Sequence, residues 1–298
     1  MYESFYALNA DPFRLSADPR FCFHHRSYVR AKASVQYALH RAEGFVMITG
    51  RAGTGKTLLV ADLADNLPPS HYLVGHLVSS RLEGADLLRM TAHAFGLTPQ
   101  QHKASQLMEL ATFFADRQQA GIRSVLIIDE AQGLTPSALQ ELRRLGDFQR
   151  DHQALLQIVL FGQEGLREQI SAPEMKPIAE RLVASWQLQP LGPEDTIRYV
   201  RHRLEQAGWT GNPAFEPGVL KIVYQFSEGL PRRINLICHR LMLHGFLAES
   251  DTISAEDARM VQQELLSTQL VHPQDDPGHH SLDDSEAIVA RRAAGGSV

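Results

Sequence analysis

Residues 50–57 read GRAGTGKT, a fit to G-x-x-x-x-G-K-[ST]. Gly50, Gly53 and Gly55 permit a tight turn in which successive backbone N–H groups face phosphate oxygens. A helix opening directly after the turn adds partial positive charge. In such a cradle Lys56 would reach the β- and γ-phosphates, and the Thr57 hydroxyl would ligand Mg²⁺. Ala52, Thr54 and Leu58 complete the stretch expected to line the nucleotide. An ordinary strand-to-helix turn is the competing reading. The apolar FVMIT before the turn and the helical pattern after it favour ATP with Mg²⁺ as the ligand.

A second cluster lies in VLIIDEAQGL (125–134), where Asp129 and Glu130 follow four aliphatic residues. Two carboxylates there are poorly explained by core packing, although Asp129 as the cap of a following helix is an alternative. At the C-terminal end of a strand, where open α/β sheets bind ligands, Asp129 would hold the metal shell and Glu130 would polarise the attacking water. Gln163, in VLFGQEGL, ends a third apolar run. It either orients the same water and touches the γ-phosphate or simply starts the next helix.

Positioning these groups requires a sheet whose strands run the same way. Short apolar runs at 45–49, 72–78, 124–129, 155–161 and 182–188 read as strands. Helical patterns at 56–66, 83–97, 102–119, 136–150 and 164–170 lie between them, and one at 27–42 precedes them with Ser27 as its N-cap. The expected fold is α/β, a parallel five-stranded sheet covered on both faces, a three-layer sandwich. After Leu191 the strand pattern stops, and 192–208, 217–228, 231–248 and 254–266 read as helices. Four regions follow: an aromatic wrapping segment at 1–26, a nucleotide-binding domain at 27–191, a helical lid at 192–268 and a disordered tail at 269–298.

Composition narrows the classes. The 298 residues are 44% hydrophobic, with net charge −5 and pI near 6.3. A mildly acidic chain gives no global electrostatic case for nucleic acid, leaving only local basic patches. Five of the 29 basic residues are lysines, which makes Lys56 conspicuous. Cys22 and Cys238 give neither a disulfide framework nor a metal spacing, and His24-His25 and His279-His280 lack a second ligand cluster. No apolar run approaches the ~18 residues of a membrane span. MYESFYALNADPF lacks a secretion signal's basic and apolar regions, so the expected location is cytoplasmic, at most peripheral to the inner membrane through partners.

Phosphate loop, Asp-Glu strand, polar sensor and helical lid, in that order, resemble an AAA+ ATPase of the P-loop NTPase class. MYESFYALNADPFRLSADPRF, EGFVMITGRAGTGKT, DEAQGL, RLVASWQLQPL, GWTGNPAF and GLPRRINLICHRLMLHGFL are similar to the exosortase/PEP-CTERM exopolysaccharide-system ATPases, a group resembling general secretion pathway protein A. The likeness covers about residues 1–265. Leu58, where such loops often carry a second Thr, and the missing Pro after Gln163 depart from the pattern.

The resemblance implies that Arg232 of GLPRRIN is the lid's sensor arginine, with Arg233 as the fallback. It implies an arginine finger acting on a neighbouring subunit, hence a homo-oligomer, with Arg181 and Arg150 as the two candidates. DPRFCFHH falls where such proteins approach the adenine, so Phe21 or Phe23 either packs on the base or belongs to a core. The expected partners are proteins of an exopolysaccharide or secretion system. A second reading is a DNA-binding ATPase of the transposition-regulator type, for which RYVRHR (198–203) is the candidate basic stripe. A third is a nucleotide-dependent scaffold without hydrolysis.

Overall fold

A computed structural model describes residues 1–41 and 44–268. The tail expected at 269–298 lies outside the described residues. Five strands, β1 (Phe45–Gly50), β2 (Tyr72–Val78), β3 (Arg123–Asp129), β4 (Leu156–Gly162) and β5 (Leu182–Leu188), form one sheet in the order β2-β3-β4-β1-β5. Every adjacent pair is parallel. β1 and β4 are buried at every position, as unbroken aliphatic runs must be when both faces are covered.

The connecting helices are α1 (Arg26–Arg41), α2 (Lys56–Asn66), α3 (Gly84–Ala94), α4 (Lys103–Gln119), α5 (Pro136–Gly146) and α6 (Glu164–Ser171). Leu126, Ile128, Ile158 and Leu160 of the sheet pack with Leu87, Phe114 and Leu142 of α3, α4 and α5. α1 and α2 are tied together through Asp62, whose Oδ2 accepts from Tyr28 Oη and Lys32 Nζ, each at 2.7 Å. Gln157 Nε2 of β4 donates to the Ala38 carbonyl of α1 at 2.6 Å.

Two local expectations fail. Ser27 is not an N-cap, because α1 already begins at Arg26, and its hydroxyl instead accepts from Trp186 Nε1 at 3.4 Å. The helix expected over 136–150 stops at Gly146. Gln149–Arg150 then pairs antiparallel with Gln153–Ala154 across Asp151 and His152, both left-handed at φ 51° and 62°. Arg150 therefore stands on a hairpin, not on a helix.

Among the described residues, 1–26, 52–58 and 189–268 cluster as one compact unit. Its helices are α7 (Pro193–Gln206), α8 (Val219–Ser227), α9 (Pro231–Leu247) and α10 (Ala255–Ser267). Tyr2, Tyr6 and Phe13 of the N-terminal segment share a core with Tyr199, Leu204, Ile237 and Leu241. Arg203 fastens that segment: Nε donates to the Pro12 carbonyl, and the guanidinium lies 4.9 Å from the Phe21 ring. Gly229 is left-handed at φ +70°, and a Cβ there would sit 2.0 Å from the Leu191 carbonyl oxygen.

Gly229→Ala must move the Leu191 backbone, so it should cost about 3 kcal/mol or more in chemical unfolding. A cost under about 1 kcal/mol would show that the Gly229–Leu191 approach is not fixed in solution. Burial also holds the imidazoles of His25, His76 and His202 below the ordinary histidine range. Their unfolded forms take up protons first, so their stability contribution is complete above about pH 6.5 and falls as pH drops below it. Urea midpoints at pH 7.5 and 5.5 should differ in that direction. Equal midpoints would contradict it.

Candidate functional site

Parallel pairing sets the geometry of one edge. In register, Ile128 of β3 faces Leu160 of β4, and Leu160 faces Met47 of β1. Asp129 at the end of β3 is thus level with Ile48, two strand spacings away, roughly 10 Å across the sheet. Gly50 ends β1 on the same edge, and the glycine loop departs from it.

Asp129 is 2% exposed, and its Oδ1 accepts the Glu130 N–H at 2.9 Å. Glu130 is left-handed, φ 52° and ψ 37°, a strained state for a residue with a side chain. Its Oε2 accepts from Gln132 Nε2 at 2.5 Å and from Gln163 Nε2 at 3.4 Å. Gln132 also accepts, through Oε1, the backbone N–H of Gln163 at 2.9 Å. One amide therefore bridges the acidic turn to the end of β4. Gly162 admits it, since a Cβ there would lie 3.0 Å from Gln132 Oε1. Gln132 was missed in the sequence because its role depends on two turns that meet only in the fold. Gln163 is also the residue before α6, but its side chain makes no capping hydrogen bond.

In the loop, Gly53 and Gly55 are left-handed at φ +81° and +100°. Thr54 between them is not, and such alternation turns consecutive N–H groups toward one point. Lys56 opens α2 and is 4% exposed, while Thr57 is exposed. Ala52 is exposed and Leu58 half-buried beside them. The Thr57 hydroxyl and the Asp129 carboxylate are each a hard oxygen donor of the kind magnesium takes alongside phosphate.

Arg232 meets the loop through its backbone: its N–H donates to the Gly53 carbonyl at 3.2 Å. A Cβ on Gly53 would stand 2.8 Å from Arg232 Cβ. No side chain caps α9, so the loop carbonyl serves one of its free N-terminal N–H groups. Arg233 is engaged elsewhere, Nη1 lying 3.0 Å from Glu228 Oε1.

Arg181 and Arg150 are not brought to this edge. Arg181 precedes β5 and pairs with Asp147 of the turn after α5, at the opposite end of the sheet. Arg150 is exposed on its hairpin, with Nε 3.9 Å from Asp151 Oδ2. In RYVRHR, Arg203 is buried and Arg198 pairs with Asp195, which thins the basic stripe. Phe21 is buried, and Phe23 packs edge-on against Tyr199 at 5.8 Å, both within the helical unit.

Residues 39–170 match the family model of an AAA domain. The chain is 34% identical over 267 residues to general secretion pathway protein A of Aeromonas hydrophila, covering 89% of this chain and 48% of that protein. It thus spans about half the length of that curated relative. Among solved structures, the Drosophila ORC bound to DNA aligns with TM-score 0.64 at 20% identity, over 86% of this chain and 64% of that one. Cdc6p of Pyrobaculum aerophilum aligns with TM-score 0.61 at 15% identity, over 88% and 70%. The ORC2 protein of Aeropyrum pernix aligns with TM-score 0.59 at 16% identity, over 84% and 72%. The architecture is that of an AAA+ P-loop NTPase, and the AAA match supports ATPase chemistry.

The bridging amide gives a direct test. Gln132→Met keeps the bulk and removes both hydrogen bonds, so it should lower stability by about 1–2 kcal/mol in urea unfolding. An unchanged midpoint would mean that Gln132 does not tie the acidic turn to β4.

Proposed function

We propose that this chain is an ATP-hydrolysing AAA+ switch whose C-terminal helices, residues 192–268, act as a lid that follows nucleotide state. The observation that carries the reading is Glu130, held in a strained backbone state beside Asp129 on the edge from which the glycine loop leaves β1. Residues 50–58 bind the triphosphate, with Lys56 on its β- and γ-oxygens and backbone N–H groups around it. Thr57 and Asp129 would hold Mg²⁺, which would neutralise phosphate charge when bound.

Glu130 accepts a proton from water as the water oxygen bonds to the γ-phosphorus and the γ-phosphorus–oxygen bond to ADP breaks. Gln163 orients that water. Gln132 and Gln163 hold the Glu130 carboxylate in place until it does so. Arg232 carries loop state into α9, since its first turn already rests on the Gly53 carbonyl. Arg181 or Arg150, both at the opposite end of the sheet, supplies a finger to a neighbouring subunit of a homo-oligomer. Such a finger accelerates hydrolysis by about 10³–10⁵-fold.

The cellular task we infer is assembly or regulation of an exopolysaccharide or envelope-export machine, through protein partners at the cytoplasmic side of the inner membrane. It rests on the motif run at 1–265 and on the secretion-protein relative. No helix of the described residues is long and apolar enough to cross a membrane. A DNA-binding role is the second reading, favoured by similarity to an ORC solved on DNA. The burial of Arg203 and the pairing of Arg198 weigh against it.

Phosphate release by the purified chain tests the mechanism. Lys56→Ala should abolish ATP binding. Glu130→Gln should keep binding and lose about 10²–10⁴-fold in turnover. Gln132→Ala should alter kcat with ATP affinity unchanged. Turnover insensitive to Glu130→Gln would remove Glu130 as the base, and salt-sensitive stimulation by duplex DNA would move the task to the second reading.

A further inference from the structure

The edge of the sheet away from the glycine loop carries a cavity of about 360 Å³, within the range of small-ligand sites. Arg41 from the end of α1, Arg123 from the start of β3 and His152 from the hairpin turn line it, and no carboxylate is among its described lining residues. All belong to the compact unit that contains the sheet. We propose that this cavity binds a small phosphorylated ligand, distinct from the nucleotide on the opposite edge.

Three observations carry the proposal. First, Arg123 is preset: its Nη1 donates to the Leu39 and His40 carbonyls at 3.1 and 3.3 Å. Those contacts satisfy the C-terminal end of α1 and leave further guanidinium N–H groups to offer. A fixed guanidinium fork loses little entropy when it takes a phosphate. Second, Ser124 lines the cavity at 3% exposure, and its hydroxyl has no hydrogen-bond partner among the described residues. Leaving a buried hydroxyl unserved is costly, and a phosphate oxygen is an acceptor for it.

Third, His152 reaches the cavity from a turn in which both central residues are left-handed. Asparagine and glycine usually occupy such turns. Keeping Asp151 and His152 there costs backbone strain, which structures retain where the side chain has a use. The amides of Gln118 and Gln153 bond to each other at 3.2 Å in the same wall and offer polar edges to the rest of a ligand.

The test uses the full chain with the glycine-loop edge saturated by a non-hydrolysable ATP analogue and Mg²⁺. Ribose 5-phosphate, inorganic phosphate and ribose are each titrated by calorimetry. Ribose 5-phosphate should bind saturably at about 1 mM or tighter, and ribose should not bind. Inorganic phosphate binding as tightly as the sugar phosphate would also support the site and identify the free ion as its ligand.

Arg41→Gln with His152→Ala should weaken binding about tenfold, and Ser124→Ala should weaken it less. Arg123 is left intact, because it holds the end of α1. No saturable binding of either phosphate below about 10 mM would overturn the proposal. Equal binding of ribose, or affinity unchanged in the Arg41→Gln, His152→Ala and Ser124→Ala variants, would overturn it too. ATP analogue binding, measured in the same samples, reports separately on the glycine-loop edge.

Discussion

Parallel pairing of β1, β4 and β3 is the constraint on which the rest depends. Parallel strands send all their C-terminal ends to one edge, so residues distant in sequence arrive together with no contact designed between them. Gly50 and Asp129 are 79 positions apart in the chain, yet register places both at that edge with β4 between. A one-residue slip would turn every buried side chain of a strand to its other face. β1 and β4 are buried on both faces, so packing against helices on each side fixes the register. The stability of the sheet and the position of the carboxylates are therefore the same property.

A second constraint concerns helix ends. α9 begins with Pro231 and has no side-chain cap, so its first N–H groups need acceptors. The Gly53 carbonyl is one of them, and the missing Cβ on Gly53 lets the two backbones meet. Any change in the loop's conformation alters the capping of a 17-residue helix. A helix moves as a rigid rod, so a small change at its first turn becomes a larger one at its far end.

Much of this was legible in the sequence. FVMIT, YLVGHLV and LVASWQL are short apolar runs with turn residues at their ends, and they became strands within one residue of the expected bounds. The glycine loop and the Asp-Glu pair were visible because charged residues and glycines interrupt apolar runs where core packing has no use for them. The hairpin at 149–154 was not legible. Its turn uses Asp151 and His152 where glycine would have signalled it, and the preceding helix has no glycine stop other than Gly146 itself. Gln132 was equally hidden, since a polar residue in a turn looks like any solvated one until its partners are known. The N-terminal segment reads in the sequence as an aromatic-rich stretch that wraps a surface. Its aromatic side chains are core residues of the helical unit, an outcome decided by the tertiary placement of Arg203 and Tyr199.

The strain at Glu130 links energetics to the proposed chemistry. A left-handed backbone at a residue with a side chain costs about 1–2 kcal/mol, and the chain keeps it beside two amides that grip the same carboxylate oxygen. Relaxing the backbone would carry the carboxylate away from Gln132 and Gln163, so the amides and the strain oppose each other. A side chain balanced in this way is held in one place but released by a modest competing interaction, such as a water polarised by phosphate. That balance suits a base that must stay clear of its substrate until the nucleotide is seated and then act without a large rearrangement. Gly162 leaves room for this arrangement: a Cβ there would meet Leu166 Cδ2 at 2.7 Å first and Gln132 Oε1 at 3.0 Å.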